Sequence, residues 1–309
     1  MFDVIEVRQP VAPPNPGQLI ESITIGAWNL ERCKFVNATA KVIRALQLDV
    51  VLISEVDIGM ARSGNLNTIR TLASLLGFGY AFCAEFVEIG IGDQTESVAY
   101  ADERNSHSLH GNAILSRFPM QNLNIVLAGR QGNWFDLDWH HRRIGGRRVL
   151  LADIVISSGS LRVASAHLES LYTPLKRQDE VTALMEGMSP AGLPDIFGGD
   201  LNTNGVPPSD DTTEPVMRFN PWLRSVQEYE PMFTVAQRFG YNWTTSNTSA
   251  HTRRTKPNGW PAKPHRRCDW LLVRSGIEAS CPFVAPAVNS AGYPVSDHEL
   301  IGAEIKVHR

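Results

Sequence analysis

The segment IFGGDLNTN, residues 196–204, places an acid and an amide directly after an apolar strand pattern. Residues i and i+2 of a strand share a face, so we expect Asp200 and Asn202 to point the same way. Gly198 and Gly199 have no side-chain bulk, so another group could approach the backbone closely there. A carboxylate beside an amide can hold a water molecule or a hard cation such as Mg²⁺, which prefers oxygen ligands. Because Asp and Asn also favour turns, a simple strand-to-turn junction is the alternative interpretation.

Polar residues at strand margins recur along the chain. They are Asn29, Glu55, His167, Asp269, Asp297 and His298. If these margins meet at one end of a sheet pair, they form an acidic pocket with two histidines. Metal-assisted phosphoester hydrolysis needs such a pocket, because a cation offsets the phosphate charge while a base positions the attacking water.

Each of these residues, taken alone, also has a structural interpretation. Glu55 could be a helix cap or a surface acid, and His167 could be a half-buried histidine with satisfied hydrogen bonds. Asp269 could pair with a nearby arginine, and Asp297 and His298 could cap the turn before the last strand. Their occurrence together favours the catalytic interpretation.

Alternating patterns and helical periodicity predict the elements that must position these residues. Strands are predicted at 22–30, 49–56, 80–89, 110–118, 147–157, 161–170, 195–203, 268–274 and 299–307. Helices are predicted at 38–48 with Asn37 as cap, at 66–78 stopped by Gly77, at 174–188 and, briefly, at 221–229. Both halves run strand, helix, strand, and no linker divides the chain. This favours two β-sheets packed face to face with helices outside, in one domain.

The composition is that of a soluble globular protein. Of the 309 residues, 43% are hydrophobic and 20% charged, and the net charge is −3, so an anionic substrate must meet local positive groups. The four cysteines form no CxxC pair, which argues against a thiolate zinc site and favours reduced thiols. The N-terminus lacks a secretory apolar run, and no stretch reaches the roughly 18 apolar residues of a membrane span. We therefore expect a cytoplasmic protein without stable membrane insertion.

The motifs AWNL, SEV, HGNAILSRFP, SAHLES, GGDLNT, CDWLLV and SDHELI occur in this order between residues 22 and 307. In type and order they resemble the endonuclease/exonuclease/phosphatase superfamily, which includes deoxyribonuclease I-like nucleases, abasic-site endonucleases, inositol-polyphosphate 5-phosphatases and neutral sphingomyelinases. The resemblance implies an α/β fold, a four-layer α/β/β/α sandwich with two packed mixed β-sheets flanked by helices. It also implies one catalytic domain over 22–309, after an extended lead-in at 1–21, with a long loop region at 203–267.

The same resemblance implies a phosphoester hydrolase that depends on Mg²⁺ or Mn²⁺. Glu55 would bind the metal directly, with Asn29 and Asp297 near it. Asp200 would orient or deprotonate the attacking water, and Asn202 would contact a phosphoryl oxygen.

Two histidines complete the implied catalytic set. His167 would donate a hydrogen bond or a proton to the phosphate. His298 would be the second essential histidine, polarised by Asp269, since a carboxylate beside an imidazole favours the charged ring. Asn112, in the HGNA motif, is expected near the pocket as a substrate contact.

Two arginine-rich clusters, residues 140–148 and 251–267, could bind substrate phosphates. Arg253, Arg254 and Arg266 of the second cluster are the predicted substrate contacts. Arginines interleaved with aromatic residues fit a surface that binds a nucleic acid or a phosphate headgroup, although a solvated face that balances the acids is the alternative. A nucleic acid is therefore the favoured substrate. A phospholipid, a soluble phosphate monoester, or a non-catalytic binding role on the same fold are the alternatives, and no protein partner is indicated.

Overall fold

The computed structural model describes residues 2–15, 19–128, 142–157, 159–204, 225–254 and 266–306. The strands are β1 (Ile5–Arg8), β2 (Ser22–Arg32), β3 (Val50–Ile58), β4 (Gly79–Glu88), β5 (Leu109–Ser116), β6 (Met120–Leu127), β7 (Arg143–Gly145), β8 (Arg148–Ile156), β9 (Gly159–His167), β10 (Ile196–Asp200), β11 (Tyr241–Asn242), β12 (Asp269–Arg274), β13 (Glu278–Ala285) and β14 (Leu300–Lys306). The helices are α1 (Val36–Ala45), α2 (Thr68–Leu76), α3 (Gln94–Ala99), α4 (Pro174–Met188) and α5 (Met232–Arg238).

The strands of these ranges form two mixed sheets. The larger sheet has eight strands in the order β1-β4-β5-β3-β2-β14-β13, and β7 pairs with β4 outside this path. The smaller sheet has six strands in the order β11-β12-β10-β9-β8-β6. The pair β2 and β3 is parallel in the larger sheet, and the pair β9 and β10 is parallel in the smaller one.

Apolar side chains fill three layers of core. Leu52 and Leu271 belong to the cluster between the two sheets. Ile43 belongs to the cluster between the larger sheet and helices α1 and α2. Leu184 and Phe197 belong to the cluster between the smaller sheet and helices α4 and α5. The predicted four-layer α/β/β/α sandwich is therefore confirmed.

The helix boundaries follow local chemistry. The side chain of Asn67 caps α2 by accepting from the Arg70 N–H at 2.9 Å, and Gly77 ends the helix in the left-handed conformation at φ 75°. Helix α1 begins at Val36, so Asn37 lies inside its first turn, and the predicted cap at this residue is wrong.

Several elements of the described residues are absent from the sequence prediction. They are β1, β6, β7, β11, β13, α3 and α5. Strand β1 lies within the predicted lead-in and pairs with β4, with Ile5 opposite Cys83. The division into a lead-in and one domain stays a prediction. Of the predicted helix at 221–229, residues 221–224 lie outside the described ranges, and Val226–Glu228 form a single 3₁₀ turn.

No helix in the described ranges is both long enough and apolar enough to pass through a membrane. The cytoplasmic location stays a prediction.

Two buried serines join the sheets where β3 faces β9. The Ser54 hydroxyl donates to the Ala166 carbonyl at 3.4 Å, and the Ser165 hydroxyl donates to the Ile53 carbonyl at 3.1 Å. Each hydroxyl therefore satisfies a hydrogen bond across the interface rather than within its own sheet.

Candidate active site

Polar residues from both sheets meet at one edge of the sandwich. In the smaller sheet, Asp200 pairs in register with His167 at the ends of the parallel strands β10 and β9. Asp269 lies opposite Asp200 at the start of the antiparallel strand β12. From the larger sheet, the Asn29 amide donates to Asp200 Oδ2 at 3.0 Å. The predicted convergence of strand margins is thus present.

Asp200 is the centre of this group. Its Oδ2 lies 3.6 Å from His167 Nε2 and 3.6 Å from His298 Nε2. Burial raises the pKa of Asp200, but the positive charges of His298 and Arg253, together with the hydrogen bond from the Asn29 amide, outweigh burial and hold the pKa below its ordinary value. The carboxylate is therefore ionised at neutral pH and can accept a hydrogen bond or a proton from water.

The chain turns immediately after Asp200. Strand β10 ends at this residue, and Asn202 has a φ of 49°. The Asn202 N–H donates to Asp200 Oδ1 at 2.9 Å, and its side-chain amide donates to the Leu168 carbonyl at 2.8 Å. Asn202 therefore reaches the site because the chain turns after Asp200. The prediction that strand alternation places it there is wrong. Asp and Asn do form the turn that the alternative interpretation expected, and they form it inside the site.

Glu55 lies at an irregularity in β3. Its φ is 58°, a region that non-glycine residues seldom adopt, and the pairing of β3 with β5 shifts register there. Glu55 Oε1 accepts from the Asn29 amide at 3.1 Å, and Oε2 accepts from Arg32 Nη1 at 2.8 Å. Burial raises the pKa of Glu55, but the charge of Arg32 and the hydrogen bond from the Asn29 amide oppose burial, and the pKa lies well below its ordinary value. Asn29 thus links the carboxylates of Glu55 and Asp200, one from each sheet.

Hydrogen bonds hold both the side chain and the backbone of His298. Its Nδ1 lies 2.8 Å from Asp269 Oδ2, and its carbonyl accepts from Trp28 Nε1 at 2.9 Å. Burial lowers the pKa of His298, but Asp269, Asp200 and Asp297 outweigh burial and raise it to about 10. The ring is therefore cationic at neutral pH, and Asp269 makes the contact that the sequence predicted.

His167 has two neighbours that the sequence analysis did not single out as site residues. Arg147 Nη1 lies 2.8 Å from His167 Nδ1, and Glu85 Oε2 lies 3.6 Å from the same nitrogen. Since a guanidinium can only donate, the Arg147 contact requires a neutral ring that accepts at Nδ1 and carries its proton at Nε2, towards Asp200. Arg147 also donates to Glu85 at 3.2 Å. A sequence signal existed for Glu85, because this acid lies between apolar residues in the interior of strand β4.

A polar cavity of about 270 Å³ opens over these residues. Most of the predicted site residues line it: Glu55, His167, Asp200, Asn202, Arg253, Asp297 and His298. Asn29 and Asp269 do not line it, and instead form hydrogen bonds with the lining residues Asp200 and His298.

Three predicted substrate contacts lie elsewhere. The Asn112 amide donates to the Arg148 carbonyl at 2.8 Å, and its side chain is fully buried. Arg254 forms an ion pair with Glu299. Arg266 is exposed, and its carbonyl accepts from the Arg253 N–H at 3.0 Å. None of the three lines the cavity. Residues 140–141 of the first arginine cluster and residues 255–265 of the second lie outside the described residues.

The sequence as a whole gives a family match. The model of the Endonuclease/Exonuclease/phosphatase family matches residues 26–298. The chain belongs to this family. Each activity in the family name cleaves a phosphoester bond, so membership places the protein among phosphoester hydrolases.

Solved structures of the family have the same fold. An endonuclease/exonuclease/phosphatase from Bacteroides vulgatus is 12% identical with a TM-score of 0.59, over 94% of this chain and 100% of that one. A mannosyl-6-phosphatase from Bacteroides thetaiotaomicron is 14% identical with a TM-score of 0.56, over 92% and 99%. A humanized D. rerio TDP2 is 15% identical with a TM-score of 0.52, over 93% and 99%. At these identities the likeness shows the fold alone. No curated protein matches the sequence significantly.

The acids beside Glu55 suit the divalent cation that the family implies. Glu55 and Asp297 both line the cavity. Burial raises the pKa of Asp297, and the positive charge of His298 opposes this rise. Repulsion from Glu31 and Glu55 raises the pKa further, to about 6. A cation would relieve this crowding of like charges, and an oxygen-only donor set fits Mg²⁺ or Mn²⁺.

A second group of possible ligands fits less well. Ligand atoms of Asp200, Asp269 and His298 all lie within 4.8 Å of one another. However, His298 is cationic and its Nδ1 already bonds Asp269, whereas a metal ligand must be a neutral imidazole with a free nitrogen. We therefore interpret this group as a hydrogen-bonded acid–imidazole set.

Proposed function

We propose that this protein is a Mg²⁺- or Mn²⁺-dependent phosphodiesterase, with a nucleic acid as the favoured substrate. The observation that carries the proposal is the environment of Asp200. One ionised carboxylate faces the cavity between two imidazoles at 3.6 Å each and is fixed by the Asn29 amide at 3.0 Å. A base held in this way can orient a water for attack on a phosphorus atom placed between the histidines.

The surrounding side chains divide the remaining work. Cationic His298 binds a phosphoryl oxygen and stabilises the negative charge that develops on it. His167, with its proton at Nε2, donates to a second oxygen, and Asn202 contacts the same group from its turn. Arg253 supplies a further positive charge at the cavity wall. Glu55 and Asp297 would hold a divalent cation, which would offset phosphate charge and stabilise the leaving oxygen.

The preference for a nucleic acid depends on local positive charge. The protein has a net charge of −3, yet the described residues that line the cavity include four arginines: Arg32, Arg143, Arg147 and Arg253. Polyanionic substrates bind where basic side chains gather, whatever the overall charge of the protein.

A phosphate monoester is the second candidate substrate. The same four arginines surround a cavity of only about 270 Å³, and this suits a small dianionic group. The fold shared with a mannosyl-6-phosphatase is compatible with this alternative.

A substrate panel tests the proposal. Single-stranded DNA, duplex DNA, RNA, sphingomyelin, inositol phosphates and mannose 6-phosphate are each incubated with Mg²⁺, with Mn²⁺ or with EDTA. We expect cleavage of at least one nucleic acid with metal and none in EDTA. Cleavage of only the last three substrates would replace the nuclease proposal with the phosphatase or phospholipase alternative. No cleavage of any substrate at saturating metal would favour a non-catalytic binding protein.

A matched pair of histidine variants distinguishes hydrolysis by this protein from hydrolysis by a contaminating enzyme. His298→Ala should remove the activity while circular dichroism shows an intact fold. His107→Ala changes an exposed histidine and should retain the wild-type rate. Equal rates in the two variants would contradict the assignment of His298.

A further inference from the structure

Arg143 occupies an unusual position on the cavity wall. It begins the short strand β7, which pairs with β4 and places Arg143 opposite Glu88 in register. Its guanidinium carbon lies 3.8 Å from the centroid of the Phe86 ring, a close cation–π contact. Its side chain lines the cavity.

The guanidinium of Arg143 lacks the ion pairs made by two other arginines of the cavity. Arg32 pairs with Glu55 at 2.8 Å, and Arg147 pairs with Glu85 at 3.2 Å. Within the described ranges, Arg143 has no carboxylate within 4 Å, and its Nε is buried without a hydrogen-bond partner. Burial and repulsion from Arg147 lower the pKa of Arg143. An unpaired charge in such surroundings is unfavourable until an anion joins it.

Arg147 and His167 separate Arg143 from Asp200 in the series of contacts along the cavity wall. The Phe86 ring that contacts Arg143 also contacts the Arg147 guanidinium at 5.3 Å. Arg147 Nη1 lies 2.8 Å from His167 Nδ1, and the other ring nitrogen of His167 lies 3.6 Å from Asp200 Oδ2. An anion bound by Arg143 would therefore be a neighbour of the phosphate that is attacked, and not that phosphate itself.

We infer that Arg143 binds a second phosphate of the substrate, next to the scissile one. This inference rests on the proposed phosphodiesterase function and specifies its substrate class. The Phe86 ring fixes the plane of the guanidinium, so its N–H groups present a fork that matches two phosphate oxygens. Substrates that carry an adjacent phosphate, as a nucleic acid strand does, gain this contact, and an isolated diester does not.

A matched pair of chromogenic substrates isolates the contact. Thymidine 5′-(p-nitrophenyl phosphate) has one phosphate, and its 3′-phosphorylated form differs only by the second phosphate. We expect wild-type protein with Mg²⁺ to favour the second substrate in kcat/KM by roughly ten- to hundredfold, the range of a hydrogen bond to a charged group. Arg143→Ala should bring this ratio close to one, mainly by raising the KM of the substrate that carries the second phosphate.

Arg142→Ala is the matched control, because it removes the same charge from the adjacent, exposed position. It should keep the wild-type preference. A preference that survives in Arg143→Ala, or that disappears equally in Arg142→Ala, would overturn the inference and leave the proposed hydrolysis intact.

Binding measurements keep the inference testable if neither nucleotide is cleaved, a result that would count against the proposed function. Calorimetry in EDTA then compares thymidine 3′,5′-bisphosphate with thymidine 5′-monophosphate. Tighter binding of the bisphosphate in wild type and Arg142→Ala, but not in Arg143→Ala, would support the second phosphate site. Equal affinities for the two nucleotides in wild type would overturn it.

Discussion

Glu180 provides a quantitative test of the charge distribution behind the site. It lies on α4, is 3% exposed, and accepts a hydrogen bond from the backbone N–H of Glu169, a cavity-lining residue, at 3.4 Å. Burial raises the pKa of Glu180 from 4.5 to about 7, against the opposing effects of that N–H and of Arg147. Such a rise corresponds to about 3 kcal/mol, at about 1.4 kcal/mol per pH unit.

The sign of the effect on stability follows from proton binding. Between pH 4.5 and 7 the folded protein holds a proton on Glu180 that the unfolded chain has released. Stability therefore falls as the pH rises through this window, and the full penalty is present above pH 7. Glu180→Gln keeps the shape and an acceptor oxygen for the Glu169 N–H, but it cannot ionise. We expect the variant to match wild type near pH 4.5 and to exceed it by up to about 3 kcal/mol at pH 8.

Urea unfolding of both proteins at pH 5 and pH 8 measures this difference, and titrations shared by the two proteins cancel. Glu186→Gln is the control, because Glu186 is exposed on the same helix. It should show no pH-dependent gain. A Glu180→Gln gain that is the same at both pH values would refute the reasoning, because it would show that ionisation of Glu180 carries no penalty.

Three further predictions concern the site itself. Asp200→Asn should lower turnover by about a hundred- to ten-thousandfold with the fold intact. The control Asp179→Asn changes an exposed position and should keep the wild-type turnover. A near wild-type rate for Asp200→Asn would exclude the water-positioning role. Asp269→Asn should lower the pKa of His298, which is about 10 in the wild type. Because the charged ring binds phosphate, kcat/KM should then begin to decline at a lower alkaline pH. An unchanged pH profile of kcat/KM would contradict the pairing of Asp269 with His298. Gly199→Ala should destabilise the protein by about 3 kcal/mol or more, measured by urea unfolding, because its Cβ would lie 2.0 Å from a backbone oxygen of β9 at a φ of 136°.

Strong patterns made most of the fold predictable. Helix α4 occupies the predicted residues 174–188, and the buried run of β3 was recognised from its continuous apolar character. The short elements carry too little pattern of their own: β11 has two residues and β7 has three. Their strand conformation comes from the neighbours with which they pair, so local sequence could not indicate it.

The site was predictable where a polar residue interrupts an apolar strand, as with Glu55 and His167. It was less predictable in the arginine cluster, where neighbouring residues look alike. Arg253 pairs with His298 in an isolated bridge and faces the cavity, while Arg254 pairs with Glu299. Adjacent residues of an extended segment point in opposite directions, so the path of the loop decides which arginine faces the cavity.

The serine hydroxyls that join β3 to β9 have a consequence for heat inactivation. Glu55 follows Ser54 and His167 lies two residues beyond Ser165, so these crossed bonds set the alignment of the groups on either side of the bound phosphate. Loss of both hydroxyls would let the two sheets slide relative to each other while the backbone hydrogen bonds within each sheet stay intact. Turnover would then decline on warming well before the ellipticity changes, because a displacement too small to unfold the protein already misplaces the reacting atoms.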